Sequence, residues 1–305
     1  APPGAGNIGD QAMAESFIEN TAGEIVIIVK DLNDITIPSG EEQRVKLLVL
    51  NSLIYGRFPR QNLDAIRYYK ALNGARSVSI IGADIMDGAY NWRASSNRAN
   101  IGYFASELKI DTRILGFSWN GKPEQRVLHA LQRASRAGVK LFVRDPLSYE
   151  RALKDGLSNV VSTSDTVFAA RTMQHDAAGS ILSSAPSGKK IALVNASGLV
   201  DKEVSQVDEY VTLINRLKQQ GLHIILIPHV SRPGGDDMII CRKIHAALND
   251  PTVQLIDKLL KPSEIRGLTA KSSIVVTGRM HLAIMALYNG VPAITLATQG
   301  KVEGL

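Results

Sequence analysis

Cysteine is almost missing from this chain: Cys241 is the only one in 305 residues. No internal disulfide and no cysteine-rich metal site can form, as expected for a reducing compartment. Aromatic residues are also scarce, at 5%, and no helix-turn-helix, zinc-finger or stacking-platform signature accompanies them. Nucleic acid is therefore not an expected partner. No apolar run approaches the roughly 18–20 residues of a membrane-spanning helix. The opening APPGAGNIGD has neither the basic start nor the apolar core of a signal peptide. With no H-E-x-x-H and no Asp-rich loop, no metal site is expected, and Asp236–Asp237 alone would make a poor one. These absences describe a cytoplasmic protein without metal, disulfide or resident cofactor.

What is present is the composition of a globular protein, 45% hydrophobic and 21% charged, with length for about two domains. Lys and Arg exceed Asp and Glu by 35 to 29, a net +6 spread along the chain, which favours anionic ligands. Short apolar runs alternate with helical patterns. In the first half EIVIIV (24–29), VKLLVL (45–50), SVSIIG (77–82), TRILGFS (112–118) and VKLFVRD (139–145) flank helices near 62–72 and 123–138. Between 171 and 189 small polar residues accumulate, as in an interdomain connection. The pattern restarts with KIALVN (190–195), HIILIPH (223–229), VQLID (253–257), SSIVVTG (272–278) and PAITLA (292–297). Such alternation predicts α/β architecture with parallel strands, in two doubly wound Rossmann-like domains spanning 1–175 and 176–305. Ligands of these sheets bind beyond the carboxyl ends of the strands, so a cleft between the domains is the expected active site.

Two motifs stand at such strand ends. GAGNIG (4–9) matches G-x-G-x-x-G, with Asp31 about 20 residues on, where a dinucleotide fold keeps its ribose-binding acid. Asp10, however, would set a carboxylate beside the pyrophosphate. The turn reads equally as Asn7 and Asp10 facing a hydroxyl-rich ligand, or as a plain helix cap. Later, SSIVVTG runs into RMHLAIMALYNGVP (279–292), which puts Arg279 and His281 at a helix N-terminus where N–H groups, dipole and guanidinium favour an anion. A salt-bridged Arg279 and a helix-capping His281 are the structural alternative.

Four segments in order resemble the polysaccharide pyruvyl transferase family over nearly the whole chain: the glycine turn Gly4 to Asp10, GADIMDG (82–88), VRDPLS (143–148) and the closing GRMHLAIMALYNGVPAITLATQGKVEGL (278–305). The resemblance implies a GT-B-like, two-domain fold. It implies transfer of the enolpyruvyl unit of phosphoenolpyruvate to a sugar as a cyclic ketal, on a cell-surface polysaccharide or its lipid-linked precursor. It further implies a strand before the glycine turn and more chain beyond KVEGL, so this sequence is expected to be incomplete at both ends. GFSWNGKP (116–123) departs from the family's glycine-proline turn, which leaves the acceptor sugar open.

On this reading phosphoenolpyruvate is a co-substrate whose carboxylate and phosphate call for Arg279 and Arg144, with His229 and Lys301 also on the donor side. His281 is the expected general acid/base, since histidine titrates near pH 6.5. Asp10 is its expected catalytic partner. Asn7, Asp84, Asp87 and Trp92 are expected to bind the acceptor on the N-terminal domain, with Tyr90 and Trp119 as further stacking rings. A free or lipid-linked glycan and peripheral contact with the inner face of the membrane complete the expected partners. A nucleotide-sugar glycosyltransferase of the same fold is the first alternative and an NAD-dependent oxidoreductase the second.

Overall fold

The computed structural model describes residues 5–201 and 205–296. It divides into two compact α/β units, one formed by Met13–Ala169 and the other by residues 5–12 together with 170–296. The division of the main chain falls close to the expected boundary at 175. The glycine turn does not follow it: Asn7 and Asp10, expected on the N-terminal side, pack with the second unit.

Helix α1 (Ile8–Glu19) starts in the second unit and ends in the first. The first unit then carries strands β1 (Ile25–Val29) and β2 (Val45–Val49), paired in parallel as a separate two-stranded sheet. Ala14 and Ile18 of α1 cover this pair together with Ile25, Ile27, Val29 and Val45. Helix α2 (Arg60–Ala71) leads into a four-stranded parallel sheet of β3 (Ser77–Ala83), β4 (Asp111–Phe117), β5 (Lys140–Val143) and β6 (Val160–Ser162), in that order. The expected single sheet is thus two sheets among the described residues, and β6, with only three residues, escapes periodicity. Helices α3 (Trp92–Glu107), α4 (Gln125–Arg136) and α5 (Pro146–Lys154) join these strands. The core holds Ile114, Phe117, Trp119, Leu131, Val139 and Leu141, all essentially inaccessible.

The region 171–189, read as a connection, contains helix α6 (His175–Leu182). It packs closely on α9 (Pro262–Thr269), where a β-carbon at Gly267 would overlap the Gln174 carbonyl. The five expected strands of the second unit are all present: β7 (Ile191–Asn195), β8 (His223–Leu226), β9 (Gln254–Leu255), β10 (Ile274–Thr277) and β11 (Ala293–Thr295). They form one parallel sheet in the order β11-β10-β7-β8-β9. Every residue of β7 and β8 is buried, because helices α7 (Val207–Gln219), α8 (Asp237–Leu248) and α10 (Met280–Tyr288) complete crossovers around a parallel sheet.

Candidate functional site

The strand order of the second unit reverses between β7 and β10. From β7 the chain steps outward to β8 and β9, then returns to the other side of β7 for β10 and β11. The carboxyl ends flanking such a reversal are where ligands of open parallel sheets bind. Here those ends are Asn195 and Thr277, partners in register. Thr277 Oγ1 donates to Asn195 Oδ1 at 2.9 Å, while Asn195 Nδ2 donates to Ile227 O and to Asp237. Gly278 follows because no β-carbon fits: it would stand 2.8 Å from Ser197 Cβ.

Asp237, the first residue of α8, is wholly inaccessible and collects donors from three segments, those after β7, β8 and β10. It accepts from Asn195 Nδ2 (3.1 Å), Gly198 N (2.9 Å), His229 N (3.1 Å) and Val230 N (3.0 Å). Arg279 adds a forked pair, with Nη2 2.6 Å and Nε 3.1 Å from Oδ1, and Nη2 also donates to Gly235 O at 2.9 Å. All these donors, plus the α8 N-terminus, converge on one side chain. Arg279, expected to be an anion receptor, is therefore largely engaged by the protein itself. Its hydrogen bonds run from Nε and Nη2, and Nη1 is the edge left for anything else.

The glycine turn is stitched to the segment after β8. Ile8 N donates to His229 O (3.1 Å), Ser231 N to Gly6 O (2.8 Å), and Asn7 forms an antiparallel bridge with Val230. Asn7 Oδ1 caps α1 by accepting from Gly9 N, and Asn7 Nδ2 donates to Asp10 Oδ2 at 2.8 Å. Two of the first N–H groups of α1 are thus spent inside the protein, which leaves little for a pyrophosphate. The glycines serve close approach instead. A β-carbon at Gly9 would enter the His281 imidazole, and one at Gly6, where φ is +72°, would overlap the Ser231 carbonyl. Arg232 Nη1 stands 3.6 Å from Asp10 Oδ2. A cavity of about 540 Å³ lined by Gly198, Ser231, Arg232, Gly235 and Asp236 adjoins this cluster.

His229 is 2% exposed, and neither ring nitrogen has a hydrogen-bond partner among the described residues. Burial pushes its pKa well below 6.5, with further lowering from His281 and Arg279. It is a neutral imidazole with its donor and acceptor both unused, a costly state for a buried polar ring.

The structure thus brings Asn7, Asp10, His229, Arg279 and His281 together in the second unit. The remaining expected residues lie in the first, except Lys301, which is outside the described residues. Arg144 follows β5 and is buried, with Nη1 2.8 Å from Asp165 Oδ2 and Nε 2.9 Å from Ser118 Oγ. Asp84 follows β3 and accepts from the exposed Tyr90 hydroxyl at 3.1 Å; Asp87 holds a turn by accepting from Ala89 N. Trp92 is flanked by the guanidiniums of Arg126 and Arg93, 4.5 and 5.1 Å from its ring centroid. Trp119 is a core residue whose Nε1 donates to Asp155. Trp119 is enclosed in the core, and the Trp92 ring already has two guanidiniums beside it. Asp237 and Arg232 were not anticipated as site residues. Their signals were slight, an acid opening an apolar helix and a cation three residues beyond His229 beside proline and glycine.

Several solved structures share this fold. The UDP-GlcNAc 2-epimerase of Methanocaldococcus jannaschii is 15% identical with a TM-score of 0.61, over 97% of this chain and 82% of that one. The enzyme of the same name from Neisseria meningitidis, bound to UDP-GlcNAc, is 14% identical with a TM-score of 0.57, over 99% and 82%. A glycosyltransferase of Rickettsia africae is 13% identical with a TM-score of 0.60, over 97% and 76%. These likenesses place the chain among GT-B-type folds. No curated protein matches it. The model of the family described as polysaccharide pyruvyl transferase matches residues 7–300, a span that takes in Asn7 to Asp10, Asp237 and the Arg279-x-His281 strand end, and the chain belongs to that family of transferases.

Proposed function

We propose that the chain moves the enolpyruvyl group of phosphoenolpyruvate onto two hydroxyls of a sugar, forming a pyruvate ketal on a polysaccharide or its lipid-linked precursor, in the cytoplasm. The observation that supports this reading is the convergence of Arg232, His229 and His281 on the first turn of α1, at the strand reversal, with Arg279 close enough to act on His229. Phosphoenolpyruvate carries a phosphate and a carboxylate. The outer edge of Arg279, Arg232 and a neutral N–H of His229 supply donors for them, and Asp237 fixes the orientation of Arg279.

In the reaction His281 protonates the methylene carbon, and the first sugar hydroxyl attacks the adjacent carbon. The carbon–oxygen bond to phosphate breaks, and the second hydroxyl closes the ketal. Of the two hydroxyl protons released, one replaces the proton given to the methylene and the other leaves with inorganic phosphate. Asp10, positioned by Asn7, is the partner for hydroxyl deprotonation. Arg144 and Lys301 on the donor side, and Asp84, Asp87 and Trp92 on the acceptor side, are further assignments of this reading.

Release of inorganic phosphate from phosphoenolpyruvate, dependent on added glycan and lost in His281→Gln, is the expected result. Thermal shifts against phosphoenolpyruvate, nucleotide sugars and NAD separate the rivals, since a specific ligand at 100 times its Kd stabilises by about 2.7 kcal/mol. Stabilisation by a nucleotide sugar or by NAD alone would reject the pyruvyl reading.

A further inference from the structure

Helix α2 buries one stripe and leaves an apolar one outside. Asp64, Tyr68 and Leu72, spaced by four, face inward: Tyr68 and Leu72 join the cluster of Leu50, Leu53 and Ala105, and Asp64 accepts from Ser52 N at 2.7 Å. On the opposite side Leu63 is 61% exposed, and Ile66 and Tyr69 are each 54% exposed. Phe58, just before the helix, is 80% exposed. The patch continues onto the end of α3, where Phe104 meets Tyr69 edge-on, 5.9 Å between centroids. Large apolar side chains concentrated in this way, on a helix already anchored by its other face, mark a contact surface.

On α2 and the segment before it the exposed charge has one sign. Between Tyr55 and Asn73 lie Arg57, Arg60, Arg67 and Lys70 against the single acid Asp64, which is buried and paired with Arg67 at 3.2 Å. Arg60 and Arg67 also line a cavity of about 400 Å³ with Asn51, Ser52, Leu63 and Ile66. Cations and polar groups beside aliphatic side chains suit a phosphate headgroup with acyl chains next to it. A second copy of this chain suits less well, because a two-fold contact would face the same basic patch against itself.

We propose that this face, built on α2 with Phe58 and Phe104, docks on an anionic lipid bilayer. Apolar side chains enter the headgroup boundary while Arg57, Arg60 and Lys70 meet lipid phosphates. The proposal goes beyond the transfer reaction and does not depend on it, because binding to a bilayer needs no turnover.

Flotation of the whole chain with vesicles of phosphatidylcholine, with and without phosphatidylglycerol, tests it. Binding to the anionic vesicles alone, weakened by salt, is expected. Each cation near an anionic surface contributes about 1 kcal/mol, so Arg57→Ser, Arg60→Ser, Lys70→Ser combined should lower the partition coefficient about 100-fold. Leu63→Glu with Ile66→Glu should abolish binding. All these positions are exposed, so Tm and circular dichroism should hold, and phosphoenolpyruvate-dependent phosphate release should be unchanged with a soluble acceptor. No flotation, equal flotation with neutral vesicles, or flotation unaffected by both variants would overturn the proposal. A dimer in sedimentation velocity, dissolved by Leu63→Glu with Ile66→Glu and unaccompanied by lipid binding, would also overturn it and assign the face to self-association.

Discussion

Each unit holds a buried arginine–aspartate pair at the carboxyl end of its sheet, and the two differ in what the aspartate does. In the first unit Arg144 and Asp165 are both almost inaccessible, with side chains 3% and 2% exposed. Asp165 also accepts from Val167 N, which fixes the short turn after β6. In the second unit Asp237 is fully buried but Arg279 keeps 17% of its side chain exposed. Asp237 also binds backbone N–H groups from two further loops. The first pair is closed to solvent: Arg144 spends Nη1 on Asp165 and Nε on Ser118, so the ends of β4, β5 and β6 are fastened around a cation that is almost fully enclosed. The second is an organising centre with one open edge: the aspartate fastens the loops after β7, β8 and β10, and the arginine remains partly available. Burial of a charge pair therefore does not distinguish a structural pair from one that serves a site. The exposure left to its cation does.

The sharpest way to break the comparison is to remove the organising carboxylate. Asp237→Ala leaves the N–H groups of Gly198, His229 and Val230 without their acceptor, and orphaning a buried donor costs about 1–3 kcal/mol each. The expected loss in urea unfolding is about 4 kcal/mol or more, together with all phosphate release. Asparagine should not rescue it. Oδ1 receives Gly198 N and Arg279 while Oδ2 receives Asn195, His229 N and Val230 N, so an amide NH₂ at either position meets donors. If Asp237→Asn retained wild-type stability, the organising role would be wrong.

Asp165→Ala should cost somewhat less, about 3 kcal/mol, mainly by stranding the buried Arg144 charge. Replacing both by a matched apolar pair, Arg144→Met with Asp165→Leu, should recover much of that loss, as expected of a closed pair. Recovery of stability without recovery of phosphate release would show that Arg144 serves the reaction as well. Recovery of both would confine it to structure.

The comparison also shows what sequence can reveal. The five strands of the second unit were legible because each is a short apolar run between helices, and His281 and Arg279 because a strand ending in glycine precedes them. Asp237 was not, since its importance lies in donors from Asn195, Gly198, His229 and Arg279, which only the folded sheet assembles. The glycine turn misled in a related way. Gly6 and Gly9 have the spacing of a phosphate cradle, yet what they accommodate is the Ser231 carbonyl and the His281 ring, both more than 200 residues away. The split of the first unit into two sheets was hidden because β1 and β2 are as apolar and regular as their neighbours.

A smaller effect is expected at Gly9 itself. In a helix, Gly→Ala ordinarily stabilises by about 1 kcal/mol. Here the added methyl meets the His281 ring, and overpacking of this kind costs about 1–3 kcal/mol. The net change in stability should therefore be small, about 0–2 kcal/mol and unfavourable. The loss of phosphate release should be much larger, because the displaced group is the proposed acid. Gly23→Ala gives no equivalent control, since Gly23 has φ +81°. A Gly9→Ala protein with full activity would show that His281 tolerates displacement and would weaken its assignment.

The smallest effect concerns His229 and pH. Its folded-state pKa lies well below the unfolded value near 6.5 because the ring is buried. The unfolded chain therefore binds a proton that the folded chain refuses. The stability that follows is fully present above pH 6.5 and is lost as pH falls toward the folded pKa, with a slope of at most about 1.4 kcal/mol per pH unit. His229→Asn removes the titration and keeps a polar side chain. Unfolding free energies measured in urea between neutral pH and the onset of acid denaturation should fall more steeply with acidity in the wild type than in the variant, by up to one proton. No counterpart is expected from the Arg144–Asp165 pair, which contains no imidazole, so this acid sensitivity should belong to the second unit. Equal slopes in wild type and variant would mean that the buried imidazole takes up a proton as readily as the unfolded one, and the neutral donor assigned to it would be wrong.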